Sequence, residues 1–174
     1  MKILLAALVL AIPVAARADI GVRLGLEAHI LDHDGNKNSD GTPGSSTTLI
    51  TDQQQLAGNL MLSYWMGDTL SLDGELAELY NFKTSTRVGT TLRVGVTFNP
   101  PVIPFYVRAA IPLHLEPSPF YSGLRAGIGT TFSLMVAKIY LELDADFPLF
   151  GESKAPSAFS TQSISLGSGV QFKF

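Results

Sequence analysis

The sequence predicts an all-β fold, an eight-stranded antiparallel up-and-down β-barrel that crosses a membrane with its strands. Apolar and polar residues alternate along almost every segment, which is the period of a strand with two different faces. Hydrophobic residues make up 46% of the 174-residue chain. Beyond the N-terminal segment, however, no apolar run approaches the roughly 18 residues of a spanning helix. An apolar composition without apolar runs indicates that apolar and polar residues alternate along the chain. Eight segments alternate in this way.

The N-terminal segment differs from the rest of the chain. Met1-Lys2 forms a short basic start, residues 3–14 form an apolar run, and Ala16-Arg17-Ala18 supplies small residues at the two positions that a signal peptidase reads. This order is typical of a secretory signal and is too short for a transmembrane helix. We therefore predict a signal peptide at 1–18, cleaved after Ala18, and a barrel domain at 19–174. A buried N-terminal helix is the alternative.

The predicted strands follow from the phase of the alternation. Within 19–30 every even position is apolar and every odd position is not, and 163–174 alternates in the same way. Each segment is long enough for the about 9–11 residues that a tilted membrane strand needs. The six strands between these two are predicted at 56–67, 70–82, 86–99, 102–116, 121–134 and 137–147.

Three positions do not fit a regular strand. The phase blurs near Glu78-Leu79, where we predict a bulge. Pro104 lies near the start of a strand, where a missing N–H donor is tolerated, but Pro112 lies within the same strand. Since each proline removes a ladder hydrogen bond, we expect a bulge or a locally unpaired rim at Pro112.

The connections alternate between tight turns and links that are longer on the whole. Tight turns are predicted at 67–69, 99–101 and 135–136, at what we call the short-turn end. At the opposite, long-loop end the links are 31–55, 83–85, 117–119 and 148–160. Short periplasmic turns and long external loops are typical of outer-membrane barrels. We therefore expect both chain termini on the periplasmic side.

Alternation alone does not say which face is outside, since a soluble secreted barrel would bury its apolar face. Glycines gather on the polar face, where a narrow eight-stranded lumen leaves little room for side chains. Aromatic residues of the apolar face gather at the strand ends, as in the two girdles of a membrane barrel. They are Tyr64, Phe98, Phe105, Phe132, Phe172 and Phe174 at the short-turn end, and Tyr80, Phe82 and Phe147 at the other.

The sequence closes with an alternating strand that carries Phe172 and a final Phe174. Such a strand resembles the signal by which the outer-membrane assembly machinery recognises its clients. Together with the eight strands and the tight turns, it makes 19–174 similar to the small eight-stranded outer-membrane barrels of the OmpA and OmpX type. The resemblance implies a monomeric integral protein of a Gram-negative outer membrane, surrounded by lipid and lipopolysaccharide. It implies function only in outline, because fold does not settle function.

Charged residues on the predicted lumen face nearly balance in sign. We expect bidentate arginine–carboxylate pairs between neighbouring strands, because unpaired charges packed together would be costly. The predicted network consists of Arg23, Glu27, Asp73, Glu75, Arg93, Arg108, Arg125, Glu142 and Asp144. Of the charged lumen positions, Glu27, Glu75, Arg93, Arg108 and Glu142 are expected near mid-barrel, and Arg87, Glu116, Arg125 and Asp146 nearer the outer rim. A filled interior and a narrow gated pore are both compatible with this pattern.

Some small outer-membrane barrels are enzymes that modify lipids, which requires a nucleophile, a base and an acid near the rim or the lipid face. The nearest constellation is His114, Glu116 and Ser118, which offers a base, an acid and a nucleophile. Lipid A deacylases carry a His-x-Ser motif on a lipid-facing strand, and this sequence has no such motif. We interpret His114 as a rim histidine and predict no enzyme, with lipid modification as an alternative. The chain contains no cysteine, which excludes thiolate chemistry, and no cofactor is predicted.

The first long loop resembles the opening of a calcium-binding loop. Oxygen-bearing side chains alternate there and are followed by Gly41. The match is partial, since the register begins with Asn instead of Asp and its twelfth position is Thr47. A flexible polar loop explains the same residues, so no metal is predicted. The candidate ligands are Asp32, Asp34, Asn36, Asn38 and Asp40.

The function predicted from the sequence is that of an integral outer-membrane barrel. Its role would be structural, or would be contact with partners through the external loops, of which the first is the longest. The formal net charge is −3, and no basic patch suggests nucleic acid. A narrow gated pore and a lipid-modifying enzyme are the alternatives.

Overall fold

The computed structural model describes residues 18–33, 55–82, 85–116, 121–151 and 162–174. In these ranges eight strands close into one barrel, each antiparallel to its neighbours along the chain. The strands are β1 (Ala18–His33), β2 (Gln55–Met66), β3 (Leu70–Asn81), β4 (Thr86–Phe98), β5 (Phe105–Glu116), β6 (Tyr121–Ser133), β7 (Lys138–Gly151) and β8 (Gln162–Lys173). Among the described residues, no helix is long and apolar enough to cross a membrane.

The first and last strands join to close the barrel. β1 pairs with β2 on one side and with β8 on the other, so that Leu24 lies opposite both Leu60 and Val170. Backbone hydrogen bonds between Ile20 and Phe174, of 3.2 and 2.8 Å, extend this join to the short-turn end. Closure leaves no open strand edge. The predicted fold, an eight-stranded antiparallel barrel, is confirmed.

The strand bounds differ from the predicted ones mainly at two places. β5 begins at Phe105 instead of 102, because the prolines at 101 and 104 cannot donate to a ladder. The carbonyl of Pro104 instead accepts a hydrogen bond of 2.8 Å from Thr130 Oγ1. At the long-loop end β1 and β7 continue to His33 and Gly151, past their predicted ends at 30 and 147.

Both predicted irregularities have counterparts in the sheet. The β3–β4 register shifts between Leu79 and Tyr80, next to the expected bulge. Pro112 pairs with Arg93 on β4. On its β6 side, pairs form at Ala110 and Leu113 but not at the two residues between them. The defect at Pro112 is therefore a gap in one ladder, as expected where the N–H donor is missing.

The barrel is apolar outside and polar inside. Along β3 exposed and buried residues alternate strictly from Leu70 to Ala77. Large apolar residues such as Leu72 and Val94 are exposed, whereas arginines and carboxylates are buried. A soluble domain shows the opposite distribution. The exposed aromatics include Tyr64, Phe98, Phe105, Phe132 and Phe174 towards the short-turn end, and Tyr80 and Phe82 towards the other.

Two lumen glycines show how tightly the interior is packed. A Cβ at Gly129 would collide with the ring and hydroxyl of Tyr106, and one at Gly25 would collide with the hydroxyl of Tyr140. Both tyrosines are buried. Tyr106 on β5 crosses the space in front of the adjacent strand β6, whereas Tyr140 on β7 reaches past β8 to β1. The missing side chains of these glycines therefore make room for rings that fill the lumen.

Candidate functional site

The candidate site is the charged interior of the barrel. Four arginines and five carboxylates lie there, and none is more than 5% exposed. They come from β1, β3, β4, β5, β6 and β7, because each strand points every second side chain inward. They are Arg23, Glu27, Asp73, Glu75, Arg93, Arg108, Arg125, Glu142 and Asp144. The structure thus brings together all nine residues of the expected network.

Arg93 and Arg108 lie at the centre of the network. Arg93 makes a bidentate contact with Glu27, at 2.7 and 3.1 Å, and donates to Glu75 at 2.7 Å. Arg108 donates to Glu75 at 2.5 Å and to Glu142 at 3.2 Å. Glu75 therefore joins the two arginines, and the chain of contacts runs from β1 to β7.

Arg23 forms the part of the network nearest the short-turn end. Its guanidinium donates to Glu142 at 2.7 Å, to the hydroxyl of Tyr106 at 3.2 Å and to Gln171 at 3.2 Å. The Tyr106 hydroxyl in turn donates to Glu142 at 2.6 Å. The same guanidinium lies 4.3 Å from the ring centroid of Tyr140, within the range of a cation–π contact.

Arg125 forms the part of the network towards the long-loop end. Its guanidinium lies 2.8 Å from Asp144, 2.6 Å from Asp146 and 3.0 Å from Glu27. It also donates to Ser165 at 3.2 Å. We expected Arg125 near the outer rim. Its contact with Glu27 instead connects the rim carboxylate Asp146 to the central cluster.

The expectation of pairs between neighbouring strands is wrong for most of the network. Arg93 and Glu27 join β4 to β1, Arg108 and Glu142 join β5 to β7, and only some pairs, such as Arg93 with Glu75, link adjacent strands. An eight-stranded lumen is narrow enough for side chains to meet across it. A long arginine can therefore reach a carboxylate on a distant strand.

One of the charged positions expected towards the outer rim, Arg87, lies apart from the buried cluster. Arg87 has the lumen phase of β4, but it lies near the start of that strand and its side chain is 54% exposed. It contacts Glu78 at 3.5 Å. The side chain of Glu116 lies outside the described residues.

Very little space is left between the central charges. A cavity of about 10 Å³ lies among Arg23, Glu27, Glu75, Arg108 and Glu142. A cavity needs at least about that volume to hold a single water molecule. The middle of the described lumen is therefore filled by side chains.

A larger cavity opens at the short-turn end. Its volume is about 140 Å³, and Arg23 lies at its boundary with the central cavity. Near its mouth Lys173 contacts Asp19 at 3.0 Å and Asp68 at 2.8 Å. The hydrogen bond from Lys173, and then its charge, lower the pKa of Asp68. The cavity is lined by Arg23, Trp65, Asp68, Thr97, Asn99, Tyr106, Thr131, Lys138, Gln171 and Lys173.

Several neutral partners of the network were missed at the sequence level. Tyr106 and Gln171 contact Arg23, Ser165 contacts Arg125, and Thr97 donates to Asp73 at 2.5 Å. All of them have the inward phase of their strands. The alternation could have identified their face, although it could not have identified which charge each one contacts.

Of the three candidate catalytic residues, the structure describes the surroundings of His114 alone. His114 Nδ1 lies 2.9 Å from the hydroxyl of Thr91 on the adjacent strand. Glu116 belongs to β5, but its side chain is not among those described, and Ser118 lies outside the described residues. Which groups surround Ser118 therefore stays untested.

The candidate calcium ligands lie almost wholly outside the described residues. Asp32 belongs to β1, whereas Asp34, Asn36, Asn38 and Asp40 fall in the undescribed range 34–54. Within the described ranges, no group of three or more His, Cys, Asp or Glu residues could hold a metal ion. The calcium hypothesis is not tested by these residues.

Comparison with known proteins supports the fold. No protein-family model matches the chain, and no curated protein matches it. The crystal structure of Neisserial surface protein A is similar at a TM-score of 0.51 and 16% identity, covering 89% of this chain and 97% of that one. The solid-state NMR structure of the outer membrane protein AlkL has a TM-score of 0.48 and 9% identity, with 90% of each chain covered. The similarity to Neisserial surface protein A shows that the chain shares the fold of that protein.

Proposed function

We propose that this protein is an integral β-barrel of a Gram-negative outer membrane whose role is structural or is contact through its external loops. The observation that carries the proposal is the buried ion-pair network, which fills the lumen from Arg23 to Arg125. A filled interior makes a rigid anchor and leaves the loops as the surface for contact. Catalysis is not part of this proposal.

The reversed polarity of the barrel supports the proposed membrane location. The outward-facing apolar side chains of the strands, such as Leu72 and Val94, form an exposed surface that we call the apolar belt. This surface would be unfavourable in water, whereas in lipid it is the surface that a barrel needs. The proposal includes a signal peptide at 1–18, periplasmic short turns and termini, and an assembly signal that contains Phe172 and Phe174. Lipid and lipopolysaccharide would surround the belt, with the barrel as a monomer.

Membrane fractionation tests the location. The protein expressed in a Gram-negative host should sediment with the outer membrane, and its folded form should migrate differently from the heated form on a denaturing gel. Recovery in the periplasmic soluble fraction would contradict the proposal. Cleavage after Ala18 can be checked on the same material by N-terminal sequencing.

A narrow pore is the second candidate, and the two cavities favour it. The cavity at the short-turn end and the small central cavity share Arg23, so a movement of that side chain would join them. Planar-bilayer recording separates the two functions. The anchor should give no steady conductance, whereas regular ion-selective openings would support the pore.

A further inference from the structure

Two neighbouring turns at the short-turn end expose apolar side chains to an unusual degree. Val102 is 90% exposed in the β4–β5 turn, and in the β6–β7 turn Met135 is 103% and Val136 86% exposed. Ile103 and Leu134 are also exposed. Because β5 and β6 are adjacent strands, the two turns lie side by side. We call these five residues the apolar rim.

The turn geometry does not require these residues. Leu134 N donates to the carbonyl of Ala137 at 2.7 Å, which closes a tight hairpin around Met135 and Val136. Among the described residues, positive φ occurs at Ser85 and Gly67, so neither tip residue has the left-handed backbone of the common hairpin turns. Turn tips usually carry Gly, Asn, Asp or Ser. Another factor must favour apolar side chains here.

The other side of the same barrel end is polar. The β2–β3 turn consists of Gly67, Asp68 and Thr69. Lys173 contacts Asp68 and Asp19 there, at 2.8 and 3.0 Å. The short-turn end is therefore asymmetric, with ion pairs around β1, β2 and β8 and the apolar rim around β4 to β7.

The apolar rim continues the apolar belt of the barrel. Phe98 at the end of β4, Phe105 at the start of β5 and Phe132 near the end of β6 are all exposed on the outer surface. Each stands within a few residues of a rim turn. The lipid-facing surface thus extends past the strand ends on this side without a polar break at the turn tips.

We infer that the apolar rim is a membrane-docking surface that inserts into the lipid interface, so that the barrel sits deeper on its β4–β7 side. This inference rests on the proposed membrane location. Its occupant is lipid, since the rim adjoins the belt and large exposed apolar patches mark membrane or protein contacts. The charged side around Asp68 and Lys173 faces water.

Single-cysteine labelling tests the inference, because the chain has no cysteine of its own. Val102→Cys and Met135→Cys report on the rim, Asp68→Cys is the control turn at the same end, and Val94→Cys reports on the belt. Each variant is labelled with bimane and reconstituted in phosphatidylcholine vesicles, with or without brominated acyl chains. Its folding is checked by heat-modifiable migration.

Rim docking predicts that brominated lipid quenches most of the fluorescence at positions 102, 135 and 94 and little at position 68. Iodide on both sides of the vesicle should do the reverse. Equal iodide quenching at 68, 102 and 135, with 94 still quenched by lipid, would overturn the inference alone. Loss of lipid quenching at 94 in a folded variant would instead contradict the membrane location. The barrel is the only protein in these vesicles, and a second copy seated on the rim would exclude brominated chains as well as iodide, so lipid quenching at 102 and 135 supports the lipid assignment.

Discussion

Individual arginines stabilise the barrel interior, because the carboxylates that they contact are shielded from water. Arg93 contacts Glu27 and Glu75, and all three side chains are almost fully buried. Arg93→Met should therefore lower the free energy of unfolding by about 3–5 kcal/mol, because it leaves buried carboxylates without their cation. Equilibrium unfolding by urea in lipid vesicles measures this change.

Arg87→Met is the matched control for that substitution. Its contact with Glu78 is longer, at 3.5 Å, and the two side chains are 54% and 40% exposed. The expected loss is below about 1 kcal/mol, as for surface ion pairs. Equal effects of the two substitutions would contradict the assignment of Arg93 to a closed interior.

At some positions facing the lumen, glycine is required because a larger side chain would collide with its neighbours. A Cβ at Gly129 would meet the buried ring of Tyr106 and a backbone carbonyl, whereas one at Gly74 would meet nothing within 4 Å. Gly129→Ala should cost about 1–3 kcal/mol by overpacking. Gly74→Ala should be neutral or slightly stabilising, because it only restricts the unfolded chain. The same urea unfolding measurement compares them, and a neutral Gly129→Ala would mean that the lumen is loosely packed.

The pKa of Asp68 reports on the contact at the mouth of the short-turn cavity. The hydrogen bond and charge of Lys173 lower this pKa, so the contact stabilises the fold at pH above the ordinary carboxyl pKa and is lost as the pH falls through the lowered value. Lys173→Gln should raise the pKa of Asp68 towards its ordinary value, as read by NMR titration. Lys138→Gln should raise it less, since the Lys138 charge contributes least. An unchanged pKa in Lys173→Gln would exclude the contact.

At the level of the strands, alternation was sufficient to predict most of the fold. It identified eight strands, their order and the face of each residue, because a strand exposes its two sides in turn. It also predicts that Arg93 and Glu27 lie near mid-barrel, but it could not show that the bidentate partner of Arg93 lies across the lumen on β1 and not on a neighbouring strand. The phase of the alternation shows which face of the sheet a side chain occupies. Whether that side chain can contact a partner on the opposite wall depends on the diameter of the barrel.

The last strand, β8, offers a test of assembly that is separate from stability. Phe174 is 76% exposed, and its backbone, not its ring, bonds to Ile20. Phe174→Ala should therefore reduce the amount of barrel in the outer membrane of cells while changing unfolding in vesicles little. Phe105→Ala, in the same girdle, is the control and should not reduce assembly to the same extent. Similar losses for both would contradict the proposed role of Phe174 in assembly.

For the whole molecule, we propose that the ion-pair network keeps the lumen from conducting ions. Arg93 and Arg108 fill the space between Glu27, Glu75 and Glu142, where the remaining cavity is about 10 Å³. Removing both guanidinium groups would widen the passage and leave carboxylates that attract cations. The double variant Arg93→Ala/Arg108→Ala should therefore give cation-selective conductance in a planar bilayer, whereas we expect none from the wild-type barrel.

Interpretation of that recording requires that the double variant is still a barrel. Heat-modifiable migration after reconstitution verifies this. Arg87→Ala serves as a control for conductance, because it removes an exposed cation at the long-loop end and should leave the bilayer sealed. A folded double variant without conductance would show that other side chains, such as Tyr106 and Tyr140, close the lumen on their own. Conductance in the wild type would instead make the network a gate, since the same contacts that fill the barrel would then have to open.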